Sequence, residues 1–408
     1  MKKSIVPLAI LSAVLVVAGI VAWIFYTETG TQYLVDRLIR FAPAKIEATG
    51  ISGTLASELA VRDLQVTIEG RRVTIGKTIL QWRPWELTMG KVVLAKLSFQ
   101  EVSLQDDRPE EPLDLTWPRF PWVLSWFQGR VDQLEIRGIA YGQKGKEILI
   151  QRVYCRLDST YGYVRVHDLL VEGTAGKMTG TIQAHLMNPF LVADVKVEPK
   201  GSSWPTTAFQ TRLRAADRSL YVNGPFTTRI FGGPQERFIL KGGVSFERHA
   251  LVFADLSLEE RERKGAVKGG GKVDFSRAVP VIQGIVRVDD LDLSQEAGME
   301  CHLTGTVDIA GDLSSYQGRF RLRPYFSAWK PEEAAGVFSG NQDQVNIEEL
   351  RMNIGKGTIK SRMNIVWKDG LAANVTLQAR NIDPSRAAPE LKGNINADLE
   401  GSLRRPPG

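Results

Sequence analysis

The residue types that do covalent or metal chemistry are sparse in this chain of 408 residues. There are four histidines, His167, His185, His249 and His302. Only Cys301-His302 brings one of them near a second His or a Cys, and adjacent residues on a strand point to opposite faces, so the pair cannot chelate one ion easily. Gly269-Gly270-Gly271 follows Lys268 but lacks the order of a phosphate loop and the helix that would follow it. Gly355-Lys356-Gly357-Thr358 fails for the same reasons, and both runs are expected to permit turns or bulges. No G-x-S-x-G is present. The acidic pairs Asp289-Asp290 and Glu348-Glu349 fall inside a recurring signature, as solvated turn residues do. Cys155 and Cys301 could form a disulfide in an oxidising compartment or stay as two buried thiols. The expectation is a protein that is not an enzyme and has no cofactor and no metal site.

Bulk properties narrow the class further. A formal charge of +6 suits anionic headgroups or any basic soluble protein. Nucleic acid is a poor partner, because no basic run is interleaved with aromatics. The first 26 residues carry the strongest signal. Ile5–Tyr26 is an uncharged apolar run of 22 residues behind Lys2 and Lys3, and a spanning helix needs ~20. A cleaved signal peptide would have a shorter apolar core, and cleavage after Ala22 would leave Ile20 at the −3 position. The run is therefore expected to be an anchor using Ile5, Leu8, Ile10, Leu15, Val17, Ile20, Trp23 and Tyr26. The two lysines favour a cytoplasmic N-terminus, with the bulk of the chain delivered across the membrane.

After it, the TETGT run supplies N-cap candidates for a short helix, Gln32–Phe41, which Pro43 stops. From Ile46 onward the period changes to that of strands, as in Leu64-x-Val66-x-Ile68 and Leu80-x-Trp82. At ~13 residues per strand and turn, the remaining chain makes roughly 28 strands. The stretch Pro112–Phe127 packs Trp, Phe and Pro densely, and its prolines forbid a central strand. It reads as an irregular apolar strap or as an aromatic core corner.

A six-residue signature, apolar-x-polar-Leu-x-apolar, recurs seven times, as VRDLQV, LAKLSF, VDQLEI, VHDLLV, FADLSL, VDDLDL and IEELRM. Its first two apolar positions are three apart, a step that would carry a side chain to the other face of a regular strand. Each signature is therefore expected to hold a bulge that returns the apolar residue to its face. Leucine-rich repeats share the rhythm, but their units are shorter and carry an Asn or Cys ladder that is missing here. A longer duplication, offset by about 90 residues, relates the segments after Phe253 and Ile347, with a shorter copy from Val166. The expected organisation is residues 1–28 as cytoplasmic start and anchor, 29–44 as juxtamembrane helix, 45–165 as the first part of a β-groove with the strap at 112–127, and 166–408 as tandem repeats. The last repeat reaches Gly408 without a polar cap, so either another protein covers that edge or the chain is the front portion of a longer one, the second being expected.

The N-terminal block resembles the start of the TamB branch of the AsmA-like proteins. The residues that carry this are the anchor, the TETGT helix with Pro43, Ile51-Ser-Gly-Thr-Leu55, Leu59–Leu64, Leu80-Gln-Trp-Arg-Pro84 and Leu94–Leu104. The Gly-flanked strand pairs near Leu303–Leu313 and Leu391–Leu403 resemble that family's repeats. The resemblance implies a mainly β protein with a single N-terminal transmembrane helix, followed by an elongated, curved repeat β-sheet forming a taco-shaped apolar groove. It implies a single-pass location in the inner membrane with a periplasmic bulk. The implied function is that of a passive conduit for phospholipid towards the outer membrane, or of an assembly factor for outer-membrane β-barrel proteins through strand-edge pairing. The implied partners are the phospholipid bilayer, lipid acyl chains and an outer-membrane β-barrel protein. The residues add their own reason for a curl, since a flat uncovered sheet would expose more apolar surface than soluble monomers carry. The candidate lining is Leu64, Val66, Ile68, Leu97, Phe99, Leu134, Ile136, Leu169 and Val171, then Leu256, Leu258, Leu291, Leu293, Leu350 and Met352. The alternative is that these side chains close on one another as a dry sandwich core.

Overall fold

A computed structural model describes residues 19–41, 45–68, 70–106, 112–120, 128–143, 146–200, 205–215, 219–233, 235–261, 265–277, 279–292, 294, 300–312, 314–326, 332–367, 371–386, 390 and 392–405. The chain divides into two units, one comprising residues 1–110 and 118–210, the other 111–117 and 211–408.

The described part of the first unit begins with helical residues 19–26 (α1) and the helix α2 (Glu28–Phe41). Thr27 breaks them apart. Its hydroxyl donates to Trp23 O at 2.6 Å and accepts from Gly30 N–H at 3.1 Å, so it caps α2. Thr31, fully buried, donates to Ile24 O at 3.0 Å and accepts from Leu55 N–H at 3.1 Å. Ala56 N–H reaches Phe25 O at 2.8 Å, and Trp82 stacks on Phe25 while its indole N–H donates to Leu55 O. The TETGT run thus builds a corner in which the freed carbonyls of α1 accept from the Thr27 and Thr31 hydroxyls and from the Ala56 amide of the turn over residues 54–57.

This corner corrects the expected anchor. Ile5, Leu8, Ile10, Leu15 and Val17 lie outside the described residues, while Ile20, Trp23 and Tyr26 lie on α1. Among the described residues no helix is long and apolar enough to cross a membrane. Of the expected run only residues 19–26 are described, eight residues where a span needs ~20, and the helix that follows, α2, carries Glu28, Asp36, Arg37 and Arg40. A single-pass inner-membrane topology and the description of the chain as a membrane protein are therefore not supported.

The strands of the first unit are β1 (Lys45–Gly53), β2 (Glu58–Ile68), β3 (Arg71–Trp82), β4 (Val92–Asp106), β5 (Gln128–Gln143), β6 (Lys146–Thr160), β7 (Tyr163–Gly173), β8 (Gly176–His185), β9 (Phe190–Pro199) and the first half of β10 (Thr206–Ala215). The second unit continues with β11 (Val222–Gly232), β12 (Gln235–Glu247), β13 (Ala250–Glu260), β14 (Ala266–Asp274), β15 (Val281–Asp292) and β16 (Cys301–Gly311). It ends with β17 (Tyr316–Phe326), β18 (Glu333–Gly340), β19 (Gln344–Ile354), β20 (Gly357–Val366), β21 (Leu371–Ile382) and β22 (Ile395–Arg405). Strands reach 16 residues, which is why there are 22 of them among the described residues rather than 28.

Within each unit strands pair with their chain neighbours in antiparallel register. The exception is β4–β5, which is parallel. A parallel pair needs a long crossover, and residues 107–127 supply it. Its described part belongs to the second unit over residues 112–117, where it is an irregular strap on one rim. Leu115 N–H donates to Arg248 O and Trp117 N–H to Leu220 O, both at 2.8 Å. His249 Nδ1 lies 3.0 Å from Leu113 O, and Asp114 lies 3.7 Å from Arg248.

In neither unit does the ladder return to its first strand or curl into a groove; each sheet is open and flat. The expected taco-shaped trough is thus corrected. The bulges anticipated as its hinges are present, but each is a one-residue correction that restores the side-chain face, and it leaves the sheet flat.

Candidate functional site

All seven signatures coincide with a break in register, or with a left-handed residue beside one. The breaks lie opposite Leu94 and at Val131/Leu134, Val166/Leu169, Phe253/Leu256, Val288/Leu291 and Ile347/Leu350, with the seventh near Arg62. In four of them the acidic residue adopts positive φ: Asp63 at 48°, Asp168 at 51°, Asp255 at 51° and Asp290 at 48°. Asp is among the few side chains that tolerate this conformation. The step of three is therefore two strand steps plus one residue absorbed by the bulge, and the leucine lands on the face of the residue three before it.

The consequence is a continuous apolar face in each unit. In the first, Leu80 lies opposite Leu97, Leu97 opposite Leu134, and Leu134 opposite Cys155. A parallel row runs Phe99, Ile136, Val153, Val171, Met178, Val197. Leu169 faces Gly180 one row away. Leu64 faces Ile75 and Val66 faces Val73, whereas Ile68 ends its strand beside Arg71 and is half exposed.

In the second unit one row passes from Leu258 through Val267, Val288, Gly305, Leu322, Ala334, Met352, Ile359 and Ala379 to Ala397. The next runs from Leu256 through Gly269, Val286, Val307, Phe320, Gly336, Leu350 and Ser361 to Leu377. Leu291 joins the same face opposite Leu303. Leu293 lies outside the described residues.

The sequence-predicted lining is thus brought together, on an open face. Apart from Leu169 these side chains are not fully buried, so they do not fill a dry core either. One cluster of buried side chains, Ile354, Ala379 and Ile382, has Met352, Ile359, Leu377 and Ala397 packed against it.

Sequence reasoning missed how β17 and β18 tile this face. Antiparallel pairing sets Gly318 opposite Phe338 and Phe320 opposite Gly336. Each ring lies over its glycine: a Cβ on Gly336 would come within 2.5 Å of Phe320, and one on Gly318 within 2.6 Å of Phe338 Cε1. The G-x-F repeated in the two strands is the signal that could have revealed it. The Gly269–Gly271 run, expected at a turn or bulge, lies in the middle of β14 facing the bulge of β13. Gly355 does occupy a tight hairpin turn, at φ 57°.

The opposite face is charged. Row partners on it include Gln100, Arg137 and Arg152 in the first unit, and Lys268, Arg287, Arg321, Arg351 and Lys360 in the second. Among the described residues Glu135, 4 % exposed, is the one carboxylate buried there; it accepts from Arg137 Nε at 3.0 Å and Arg152 Nε at 2.9 Å. Two depressions, of about 650 and 480 Å³, open at signature bulges, beside Glu348-Glu349 and beside Asp255. Among the described residues no group of three or more His, Cys, Asp or Glu is arranged to hold a metal. Cys155 and Cys301 are both free and buried, and burial raises both thiols above their ordinary value.

An open repeat β-sheet with one apolar and one charged face, built on a recurrent bulge, is the class this geometry defines. Residues 291–405 match the family described as TamB, N-terminal domain, which supports membership of the chain in the TamB/AsmA-like family. No curated protein and no solved structure matches the chain. The match falls on the repeats near Leu303–Leu313 and Leu391–Leu403, not on the N-terminal block where the resemblance was densest. The expected conduit towards the outer membrane, and equally an assembly factor presented from the same anchored trough, is corrected: among the described residues neither an anchoring helix nor a curved groove is seen.

Proposed function

We propose that the chain acts by binding rather than by catalysis, and that its partner is the acyl portion of phospholipid, laid against the open apolar face. The observation that carries this is the run of apolar cross-strand pairs from β3 to β9, most of them half-buried with no second sheet over them among the described residues. The charged opposite face supports the same orientation, since it keeps the other side in water. A ~16-carbon chain with about half its surface covered would gain ~6 kcal/mol at ~0.8 kcal/mol per methylene. That is enough for binding and weak enough for release.

The test is lipid mass spectrometry on the full chain after gentle purification, with a fluorescent fatty-acyl probe as a second readout. Leu97→Asp with Leu134→Asp places two carboxylates at facing positions of the row and is expected to abolish both signals. Gln100→Asp, on the charged face beside Arg137, is expected to leave them unchanged. Absence of lipid from the unaltered chain, or equal binding by the double variant, would refute the reading.

A further inference from the structure

Register carries one row of the second unit's charged face from Lys241 on β12 through Ser257, Lys268, Arg287, Thr306, Arg321, Ala335 and Arg351 to Lys360 on β20. Its cations are all exposed and no carboxylate interrupts it, over a length of about 38 Å at ~4.8 Å per strand. Like charges directly opposite destabilise a sheet, yet Lys268 faces Arg287 and Arg351 faces Lys360. The first unit also sets two cations opposite each other, Arg137 and Arg152, but there the buried Glu135 accepts from both. In the second unit the compensation is partial. Lys241 lies 3.5 Å from Glu259, Lys268 2.9 Å from Asp289, and Arg321 2.9 Å from Glu333. Among the described residues Arg287, Arg351 and Lys360 have no ion-pair partner. Lys360 lines the depression of about 650 Å³, and Glu349 and Arg362 line it too without pairing with it or with each other.

We propose that this row is the binding site of a linear phosphate polymer, laid across the strands from β12 to β20. The counter-charge that Arg351 and Lys360 lack then comes from outside the chain, and a phosphate group has enough oxygens to bridge two facing cations. Thr306 adds a hydroxyl between Arg287 and Arg321. The flanking rows make the partner linear rather than planar. One carries Glu259, Asp289 and Glu333, the other Asp255, Asp308 and Glu349. A flat anionic surface would meet the carboxylates of both rows, whereas a single chain over the cations avoids them. No aromatic side chain lies in the row or in either flanking row, so there is no platform on which a base could stack. An acidic polypeptide laid across paired strands would find their N–H and C=O groups already used in the ladder, so the page favours phosphate. The site lies on the face away from the apolar rows and is independent of acyl binding.

The experiment titrates the full chain with inorganic polyphosphate and reads binding by calorimetry at low and high salt. Saturable binding that weakens as salt rises is expected. Arg351→Gln with Lys360→Gln is expected to lower the affinity ~10-fold or more. The same variant is expected to melt no lower than the unaltered chain, because it removes two facing like charges. Lys177→Gln with Lys196→Gln takes the same charge from the first unit and is expected to change affinity less than ~2-fold. Oligoglutamate, single-stranded DNA and anionic phospholipid vesicles, compared at equal charge, are each expected to bind more weakly than polyphosphate. No binding of polyphosphate by the unaltered chain would overturn the proposal, as would equal losses in the two double variants. Oligoglutamate, DNA or vesicles binding as tightly as polyphosphate would overturn it too, and so would a lower melting temperature for the Arg351/Lys360 variant.

Discussion

Asp255 isolates the backbone contribution of the bulge. It has φ of 51°, is exposed, and its side chain makes no hydrogen bond or ion pair among the described residues. The equivalent residues are less clean: Asp168 pairs with Arg156, Asp290 lies 3.1 Å from His302, and Asp63 accepts from Thr49. A β-branched residue in the left-handed region costs roughly 1–2 kcal/mol more than one that tolerates it. Asp255→Val can respond in two ways. It can keep the bulge and bear that strain, or it can flatten the strand and swing Leu256 and Leu258 to the charged face.

Flattening forfeits about half the burial of two leucines, ~2–3 kcal/mol, so the bulge is the cheaper choice and should persist. Asp255→Gly relieves the strain but adds about 0.5–1 kcal/mol of unfolded-chain entropy, and should be near neutral. Because repeat sheets open locally, hydrogen exchange of the β12–β14 amides is a better readout than a melting curve. The expected result is roughly 5–30-fold faster exchange there for the valine variant, little change for the glycine variant, and no change in β19–β21. Equal exchange in the two variants would refute the assignment of the acidic position to a left-handed bulge.

Three further outcomes follow from the geometry. Glu135→Ala leaves Arg137 and Arg152 without their shared acceptor, and should cost ~1–3 kcal/mol, towards the low end because both guanidinium groups reach water; exchange of the β5–β6 amides reports it. Gly318→Ala sets a Cβ against both the Asp308 carbonyl oxygen and the Phe338 ring, and should cost ~1–3 kcal/mol, with the displaced ring visible as a change in near-ultraviolet circular dichroism. Asp114 is held below the usual carboxylate range, first by hydrogen bonds from Thr116 and then by Arg248 and His249. A depressed pKa stabilises above the unfolded value, about 3.9, and loses that contribution as pH falls through the lowered value. Protection of the Leu115 and Trp117 amides should therefore survive at pH 5 and fade only in stronger acid; loss already near neutral pH would contradict the contact.

Much of the strand pattern could be read without coordinates. The step of three inside VHDLLV or FADLSL could only be accommodated by a bulge, and the register shifts at Val166/Leu169 and Phe253/Leu256 are where that reasoning put them. The short helix before Pro43 was also legible, although it starts at Glu28 because Thr27 caps it. What misled was the inference from an apolar face to a curled groove. Side-chain alternation sets which residues share a face, but curvature depends on how the twist accumulates from strand to strand, and no single strand carries that information.

Local spacing by itself determined three things: the strand periodicity, the bulge at each signature, and membership of Leu97, Leu134, Leu256 and Leu350 in an apolar face. These depend on residues a few positions apart, where backbone sterics and the two-residue period act directly. Tertiary structure alone decided the parallel β4–β5 pair, the pairing of Phe320 with Gly336, the burial of Glu135 between two arginines, and the exposure of Leu399 and Leu403 at an edge. Each is a relation between strands, fixed by register and by which strands become neighbours, and those are properties of the assembled sheet.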